Sequence, residues 1–218
     1  RMKNLALVNG QPLISYAIRA AQQANVFRSI VVNSDHPLFA DIASRYGVEF
    51  YRRPPELGSS TTTSDAVVAD FLRQHACDIL VWVNPISPLQ PPDEICSVVH
   101  YFVQNELDTL ITVQDHHVHC IYDGEPVNFS AAGEFSRTQD LRPVRSFVYS
   151  LMMWRSETFV TSMNERAHGI LSGRIGYYPV SKLSSFIVKD DEDLLVADVL
   201  ARAQADGKMQ RVKYDPIV

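Results

Sequence analysis

Short runs of apolar and β-branched residues alternate along this chain with longer segments in which apolar residues recur every three or four positions. Runs of the first kind predict buried strands, and segments of the second kind predict amphipathic helices. Strands and helices that alternate in this way form right-handed crossovers and a mainly parallel sheet with helices on both faces. The fold class is therefore α/β, with predicted helices over 12–24, 38–46, 64–75 and 92–104 and strands over 29–33, 48–51, 78–83 and 109–113.

The pattern changes after residue 113. Two short β-prone runs, 119–122 and 126–129, flank the pair Asp123-Gly124. An Asp-Gly pair between such runs predicts an antiparallel hairpin with a two-residue turn. We interpret residues 114–146 as an excursion from the main sheet.

The chain then returns to alternating elements, and the absence of a low-complexity linker favours one domain over residues 1–218. In the closing helix we expect five apolar residues to face inward. The predicted elements are a strand over 147–154, a helix over 155–161, a strand over 176–180 and a helix over 190–205 with Leu194, Leu195, Ala197, Val199 and Leu200 inward.

Composition excludes several classes of function. Of 218 residues, 46% are hydrophobic and 21% charged, which is typical of a globular chain, and the net charge is −5. A mildly acidic chain without a basic run lacks the cations that nucleic-acid binding requires. No apolar run reaches the roughly 20 residues of a membrane span. Three widely spaced cysteines without a CxxC pair, and no visible signal peptide, favour the cytoplasm.

Ligands of parallel α/β sheets bind beyond the carboxyl ends of the strands, so the loops there are the first candidates for a site. After the strand 48–51 come Arg53 and a run of six Ser and Thr residues over 59–64. This run is either a linker with a helix N-cap at Thr62 or Thr63, or a hydroxyl-rich loop that binds a polar ligand such as a nucleobase. After the strand 78–83 comes Asn84–Gln90, whose two prolines indicate either a substrate platform or a rigid connector.

Two further segments carry chemistry-bearing side chains. Arg137 lies in a polar segment that ends at Leu141, where its guanidinium could bind a carboxylate in a two-pronged fashion or form an ordinary surface salt bridge. Four potential zinc ligands also cluster in the excursion. Because adjacent ligands in one short strand rarely close a tetrahedral site, we do not favour zinc at His116, His117, His119 and Cys120.

Five segments, taken in their order along the chain, resemble the cytidylyltransferases that activate keto-sugar acids, the acylneuraminate type more than the CMP-Kdo type. The resemblance covers nearly the whole chain, although no single segment is specific. The matching elements are Lys3-Asn4 with Gly10-x-Pro12-Leu13, Arg53-Pro54-x-Glu56-Leu57, Pro85-x-Ser87-Pro88-Leu89, His116-His117 and Arg137-x-Gln139-Asp140-Leu141.

The resemblance implies a Rossmann-like nucleotide-diphosphosugar transferase fold and a homodimer in which the excursion reaches the partner. It also implies Mg²⁺-assisted transfer of CMP from CTP to a sialic or legionaminic type of nonulosonic acid, as in the biosynthesis of lipopolysaccharide or capsule. The residue roles that it implies are Lys3 and Asn4 in catalysis, Arg53, Thr62 and Ser64 at the nucleotide, Asn84, Gln139 and Arg137 at the sugar, and Asp190 and Asp191 at the metal.

The chain departs from the family pattern at functional positions. The strand and phosphate-binding loop that open the family's sheet would precede Lys3, so we expect the sheet to lack a central strand. Ile187 and Lys189 occupy the two slots of the family's Asp-x-Asp metal pair, and Val148-Tyr149 replaces its Asn-Gly. These departures leave two alternatives open: a catalytically inactive binding or regulatory subunit, and an enzyme of the same fold that uses another nucleotide.

Overall fold

The computed structural model describes residues 2–207 and residue 215. Its helices are α1 (Leu13–Ala24), α2 (Leu38–Tyr46), α3 (Ser64–Gln74), α4 (Pro92–Gln104), α5 (Ser156–Arg166) and α6 (Asp191–Ala205). Its strands are β1 (Leu7–Val8), β2 (Gln11–Pro12), β3 (Val31–Ser34), β4 (Glu49–Arg52), β5 (Ile79–Val83), β6 (Thr109–His116), β7 (Ile121–Tyr122), β8 (Glu125–Pro126), β9 (Val144–Arg155) and β10 (Ile175–Pro179).

The main sheet has four strands in the order β10-β6-β9-β5. Strands β10 and β6 are parallel, whereas β9 runs antiparallel to both β6 and β5. The α/β class is confirmed, and β9 is the exception to the expected parallel sheet. The excursion explains it: the chain leaves β6 at its carboxyl end and re-enters the sheet from that same end.

Strands β3 and β4 form a separate parallel pair. Within the described residues, this pair shares no strand hydrogen bonds with the four-stranded sheet. Packing of side chains, not a continuous ladder, must therefore join the two parts of the fold.

Helix α1 supplies that packing. Its Ala20 lies in the cluster between the four-stranded sheet and α4, and its Ile18 lies in the cluster that covers β3 and α2. Its Leu13 belongs to a third cluster, which includes Val188 and the inward side of α6. All three side chains are at most 8% exposed. The other face of the sheet is covered by α3 and α5, so helices lie on both faces as predicted.

The closing helix corrects one prediction. Leu195 and Val199 are 70% and 65% exposed, so they do not face inward. The buried stripe runs instead through Ala197 and Ala201, with Leu194 and Leu200 half-buried beside it. Since apolar residues occur around most of this helix, their spacing alone did not define one face.

The excursion contains the predicted hairpin. Strands β7 and β8 pair across Asp123 and Gly124, which both have positive φ angles of 50° and 83°. These angles are those of a type I′ turn, which matches the twist of two-residue hairpins.

In residues 2–207, no helix combines the length and the apolar character needed to cross a membrane.

A buried carboxylate ties β4 to α3. Asp70 is 5% exposed, and it accepts a hydrogen bond of 2.9 Å from the hydroxyl of Tyr51 and a longer one of 3.5 Å from Arg73. Burial and the hydrogen bond to Asp70 raise the pKa of Tyr51 above its usual value. The strand edge that carries Arg53 is thereby held against α3.

We expect Tyr51→Phe to lower the free energy of unfolding by about 1–3 kcal/mol, because it leaves a buried carboxylate with one long hydrogen bond. Urea denaturation measures this. Tyr178→Phe is the control, since the hydroxyl of Tyr178 makes no hydrogen bond within the described residues and its loss should have no effect. An equal free energy of unfolding for Tyr51→Phe and the native chain would contradict the role of this hydrogen bond.

Candidate active site

Polar and charged side chains follow the carboxyl ends of β3, β4, β5 and β6, and three of them, Arg53, Asn84 and His117, were named from the sequence. Asp35 follows β3, Arg53 follows β4, Asn84 follows β5, and His117 follows β6. In α/β sheets this edge is where ligands bind. We call it the carboxyl edge.

Arg53 is fixed in place at this edge. Its Nη2 lies 3.1 Å from Oδ1 of Asp35, its Nη1 donates to the backbone oxygen of Asn33 at 3.5 Å, and its own amide donates to Ser34. The side chain of Arg53 is one-fifth exposed. An arginine held by a carboxylate from the neighbouring strand presents its remaining donors in one orientation.

Of the five buried side-chain polar atoms that have no hydrogen-bond partner among the described residues, three belong to Arg53, to Asn33 beside it, or to the neighbour of Lys3. They are Nε of Arg53, Oδ1 of Asn33 and Oδ1 of Asn4. Unpartnered buried polar atoms are rare because each costs free energy, and they are frequent where a ligand or water completes the bonding. Two of these atoms belong to the Arg53 neighbourhood, and the third belongs to a residue that the sequence assigned to catalysis.

The Ser/Thr run lies beside Arg53. Gly58 approaches the carboxylate of Asp35 so closely that any Cβ there would collide with it. Thr62 Oγ1 donates to the backbone oxygen of Glu56 at 3.0 Å, and Thr63, not Thr62, caps α3 by accepting from the amide of Ala66. Ser64 is the first residue of α3 and is exposed.

Lys3 joins two loops of the carboxyl edge. Its Nζ donates to the backbone oxygen of Val188 at 2.8 Å, and the amide of Val188 donates to the backbone oxygen of Ile86 at 2.8 Å. Ile86 lies in the loop after β5 together with Asn84, whose side-chain oxygen accepts from the amide of Ile86 at 3.4 Å. The segment before α6, the loop after β5 and Lys3 therefore meet at one place.

Asp190 has a structural role that the sequence did not assign to it. Its Oδ1 accepts from the amide of Asp193 at 3.0 Å, and Oδ2 of Asp193 accepts from the amides of Asp190 and Lys189. This reciprocal capping box begins α6. Asp191 follows as the first residue of the helix, so both predicted metal ligands lie at the helix N-terminus and near Val188.

The residues present do not form a metal site by themselves. Among the described residues, no group of three His, Cys, Asp or Glu side chains is arranged to hold an ion. The histidines of the excursion are engaged otherwise: His116 Nε2 lies 2.8 Å from Ser146 Oγ, and His119 stacks on Phe135. The donors at Asp190 and Asp191 do fit Mg²⁺ carried by a triphosphate, since this ion often binds one or two carboxylates together with substrate phosphates.

Arg137 and Gln139 lie in the excursion. Arg137 binds the carboxylate of Asp140 with Nε at 2.8 Å and Nη2 at 3.2 Å, so the two-pronged contact is made within the same turn. Arg137 is 73% exposed and Gln139 is exposed too. No hydrogen bond or ion pair in the described part of the chain joins either residue to Asn84, and their assignment to the sugar stays a prediction.

A groove of about 210 Å³ lies between α1, the loop 88–92 and α6. Tyr16, Arg19, Gln90 and Gln204 contribute its polar groups. Burial raises the pKa of Tyr16, the nearby charge of Arg19 opposing this. We call this the α1–α6 groove.

Comparison with known proteins identifies the family. A family model described as cytidylyltransferase matches residues 1–142 of the 218 in the chain. The chain belongs to the cytidylyltransferase family. The matched range includes the edge residues Lys3, Arg53 and Asn84.

The chain is similar to N-acylneuraminate cytidylyltransferase A of Danio rerio, with 31% identity over 117 residues, 53% of this chain and 27% of that protein. It is also similar to the post-translational flagellin modification protein B of Campylobacter coli, with 24% identity over 213 residues, 92% of this chain and 88% of that protein. The chain spans between about a quarter and about half the length of the N-acylneuraminate cytidylyltransferases that it matches.

Among solved structures, the fold is similar to that of CMP:2-keto-3-deoxy-manno-octonic acid synthetase in complex with CTP. The TM-score is 0.68 at 12% identity, and the match covers 93% of this chain and 92% of the other. This likeness confirms the nucleotidyltransferase type of fold.

Sequence reasoning missed Asp35 and Asn33 as part of the site. The usable signal was an acidic residue directly after one parallel strand and an arginine directly after the next, because neighbouring parallel strands bring such residues together.

We expect Asp190→Ala to lower the free energy of unfolding by about 1 kcal/mol, because it removes the cap of α6. Asp190→Asn should leave the free energy of unfolding almost unchanged, since asparagine caps helices as well as aspartate does. Thermal and urea unfolding of both variants measure this. Equal destabilisation by the two substitutions would contradict a capping role that depends on the side-chain oxygen.

Proposed function

We propose that this protein transfers CMP from CTP to a keto-sugar acid of the sialic or legionaminic type. The observation that supports it is the meeting of Lys3, Asn84 and the Asp190 segment at the carboxyl edge of a cytidylyltransferase fold, with Arg53 and unpartnered polar atoms at the same end. The anomeric hydroxyl of the acceptor attacks the α-phosphorus and forms the new P–O bond. The bond to the bridging oxygen breaks, pyrophosphate leaves, and the hydroxyl proton passes to solvent or a basic group.

In this proposal the nucleotide binds between the β3–β4 pair and the loop after β5. Arg53, Thr62 and Ser64 bind the cytosine: the guanidinium donors and hydroxyl groups suit a base that offers a carbonyl oxygen and an exocyclic amine. Lys3 and Asn4 lie towards the triphosphate. A cation there stabilises the charge that develops as pyrophosphate leaves.

On the acceptor side we assign Asn84, which follows β5, and Gln139 and Arg137, which lie in the excursion. Asn84 is held by two contacts, since its amide donates to the backbone oxygen of Ser150 at 2.9 Å and its side chain accepts from Ile86. A rigidly placed amide can orient the attacking hydroxyl, which is where much of the rate of such a transfer arises.

We also propose a requirement for Mg²⁺, with Asp190 and Asp191 as the ligands from this chain. Bound to the triphosphate, the ion would neutralise phosphate charge. Asp190 uses Oδ1 to cap α6, and a carboxylate has a second oxygen for a further contact.

A second candidate function is a catalytically inactive binding or regulatory subunit. The observation that favours it is that the two family metal slots hold Ile187 and Lys189, and that the amide of Lys189 binds Asp193 within the capping box. Such a protein would bind CTP without releasing pyrophosphate in the presence of any acceptor.

We propose that the protein is a homodimer that associates through the excursion. Ile121, Tyr122, Val127 and Phe135 are between 55% and 80% exposed. Several exposed large apolar side chains within one excursion favour a surface that binds another protein surface.

The reaction is tested by pyrophosphate release from CTP and Mg²⁺ with N-acetylneuraminate, a legionaminate or Kdo as the acceptor. We expect release with one of these sugars.

Arg53→Gln should raise the KM for CTP about tenfold or more, because it removes a charged donor. Arg73→Gln is the matched control, because Arg73 lies on α3 and is 65% exposed. CTP binding without pyrophosphate release in the presence of any of these acceptors would favour the inactive subunit. Equal thermal shifts with CTP, UTP, GTP and ATP would exclude a site selective for cytosine.

Metal dependence is tested by titrating Mg²⁺ in the same assay. We expect Asp191→Asn to raise the Mg²⁺ concentration for half-maximal rate about tenfold, since a carboxylate ligand is lost. Glu192→Gln, a neighbouring exposed acid on α6, should not alter it. The same Mg²⁺ dependence in the native chain and Asp191→Asn would remove Asp191 from the metal site.

Association is tested by native mass spectrometry. The double substitution Ile121→Asp with Tyr122→Asp should convert dimers to monomers, because it places charges in an apolar interface. Leu195→Asp is the control: Leu195 on α6 is 70% exposed, compared with 68% for Ile121. Dimers that persist in the double variant but dissociate in Leu195→Asp would place the interface on α6.

A further inference from the structure

Tyr149 has a backbone conformation that tyrosine rarely adopts. Its φ angle is +58°, within the left-handed region that favours glycine, although it lies inside the long strand β9. For a bulky residue this conformation is energetically unfavourable, because Cβ comes too close to the following carbonyl oxygen. A strained residue persists only where its surroundings hold it, and such residues concentrate at functional sites.

The surroundings that hold Tyr149 are a bulge. Strand β9 pairs with β6 at Phe147–Val113 and again at Met152–Ile111, so the four residues from Val148 to Leu151 lie opposite the single residue Thr112. The bulge is stabilised by buried polar contacts. Thr112 Oγ1 binds both the amide and the carbonyl of Leu151 at 3.0 Å, Ser150 accepts from the amide of Asn84, and Gln90 Nε2 donates to Ser150 Oγ at 3.3 Å.

This bulge presents an aromatic surface at the carboxyl edge. The rings of Tyr149 and Phe147 meet edge-to-face at 5.6 Å, and Phe147 stacks on Tyr177 at 5.7 Å. Tyr149 and Phe147 remain 44% and 40% exposed, whereas Val148 and Ser150 between and beside them are buried. Bulges next to active sites commonly re-aim a side chain in this way. We call Phe147, Tyr149 and Tyr177 the aromatic platform.

Two polar groups adjoin the platform. The backbone amide of Asn84 donates a hydrogen bond to the backbone oxygen of Ser150, the residue that follows Tyr149. Arg145 lies two positions before Phe147 and therefore on the same face of β9, about 7 Å along the strand. It is 48% exposed, and its contact with Asp115 at 2.9 Å uses only the Nε group of a guanidinium that has five N–H donors. A ligand could thus bind with its carboxylate at Arg145 and its apolar face on the aromatic platform.

We propose that the aromatic platform, and Tyr149 above all, determines acceptor specificity, and that it selects a sugar acid with an apolar face of acylamino and methyl groups. The inference rests on the proposed function, because it assigns the acceptor end of that site. Aromatic faces bind C–H groups favourably and lose exposed apolar area when they do so. The carboxylate of the same acceptor lies towards Arg145.

Kinetic discrimination tests this directly. The ratio of kcat/KM for a legionaminate, with two acylamino groups and a terminal methyl, to that for Kdo, which has neither, is compared between the native chain and Tyr149→Asn. Asparagine tolerates a positive φ and lacks the ring. We expect the ratio to fall about tenfold, as for the loss of an apolar contact in a specificity pocket, with the KM for CTP unchanged. Tyr149→Phe should keep the native ratio.

An unchanged ratio in Tyr149→Asn, or a parallel rise in the KM for CTP, would overturn the proposal. Dissociation of the dimer by Tyr149→Asn, measured by native mass spectrometry, would also overturn the proposal. In that case the platform is covered by a second copy of the chain. If the native chain turns over no acceptor, the proposed function fails, and saturation-transfer NMR with legionaminate still tests the platform. Saturation of aromatic protons should reach the sugar's methyl groups in the native chain and much less in Tyr149→Asn; equal transfer in both would overturn it.

Discussion

The fold depends on the packing of α1 into three hydrophobic clusters at once. The β3–β4 pair and the four-stranded sheet share no strand hydrogen bonds among the described residues. The contacts of Ile18 on one side of α1 and of Ala20 on the other therefore fix their relative positions. Leu13 adds the segment before α6. Burial of apolar side chains is non-directional, but dense packing makes the arrangement rigid. The relative positions of the carboxyl-edge loops follow from this one helix.

The site inherits its geometry from that arrangement. Arg53 is oriented by Asp35 across the β3–β4 pair, and Lys3 is oriented by the backbone of Val188, which itself binds the loop after β5. Each cationic group is therefore tied to a different part of the fold. A ligand that contacts both would complete the bonding of buried polar atoms and join the two sheets, so binding should stabilise the native state through linkage.

Periodicity was sufficient for the elements whose apolar residues form one stripe, and α4 begins and ends where its pattern predicts. It failed for Leu195 and Val199, because α6 is apolar on several sides and only packing selects the inner one. It also could not show that Asp35 binds Arg53, which depends on strand register, or that Tyr149 has a positive φ, which depends on a bulge built by Thr112. Local patterns predict elements, whereas contacts between distant residues decide the site.

We propose that Mg²⁺ and CTP bind at the carboxyl edge. Chemical-shift mapping of backbone amides in the ¹⁵N-labelled chain, titrated with CTP in the presence of Mg²⁺, tests it most directly. We expect CTP to cause saturable chemical-shift changes at the backbone amides of Arg53, Asn84 and Val188. The chemical shifts of Arg19 and Gln204 in the α1–α6 groove should stay unchanged. Shifts confined to the groove, or no shifts at millimolar CTP, would contradict it.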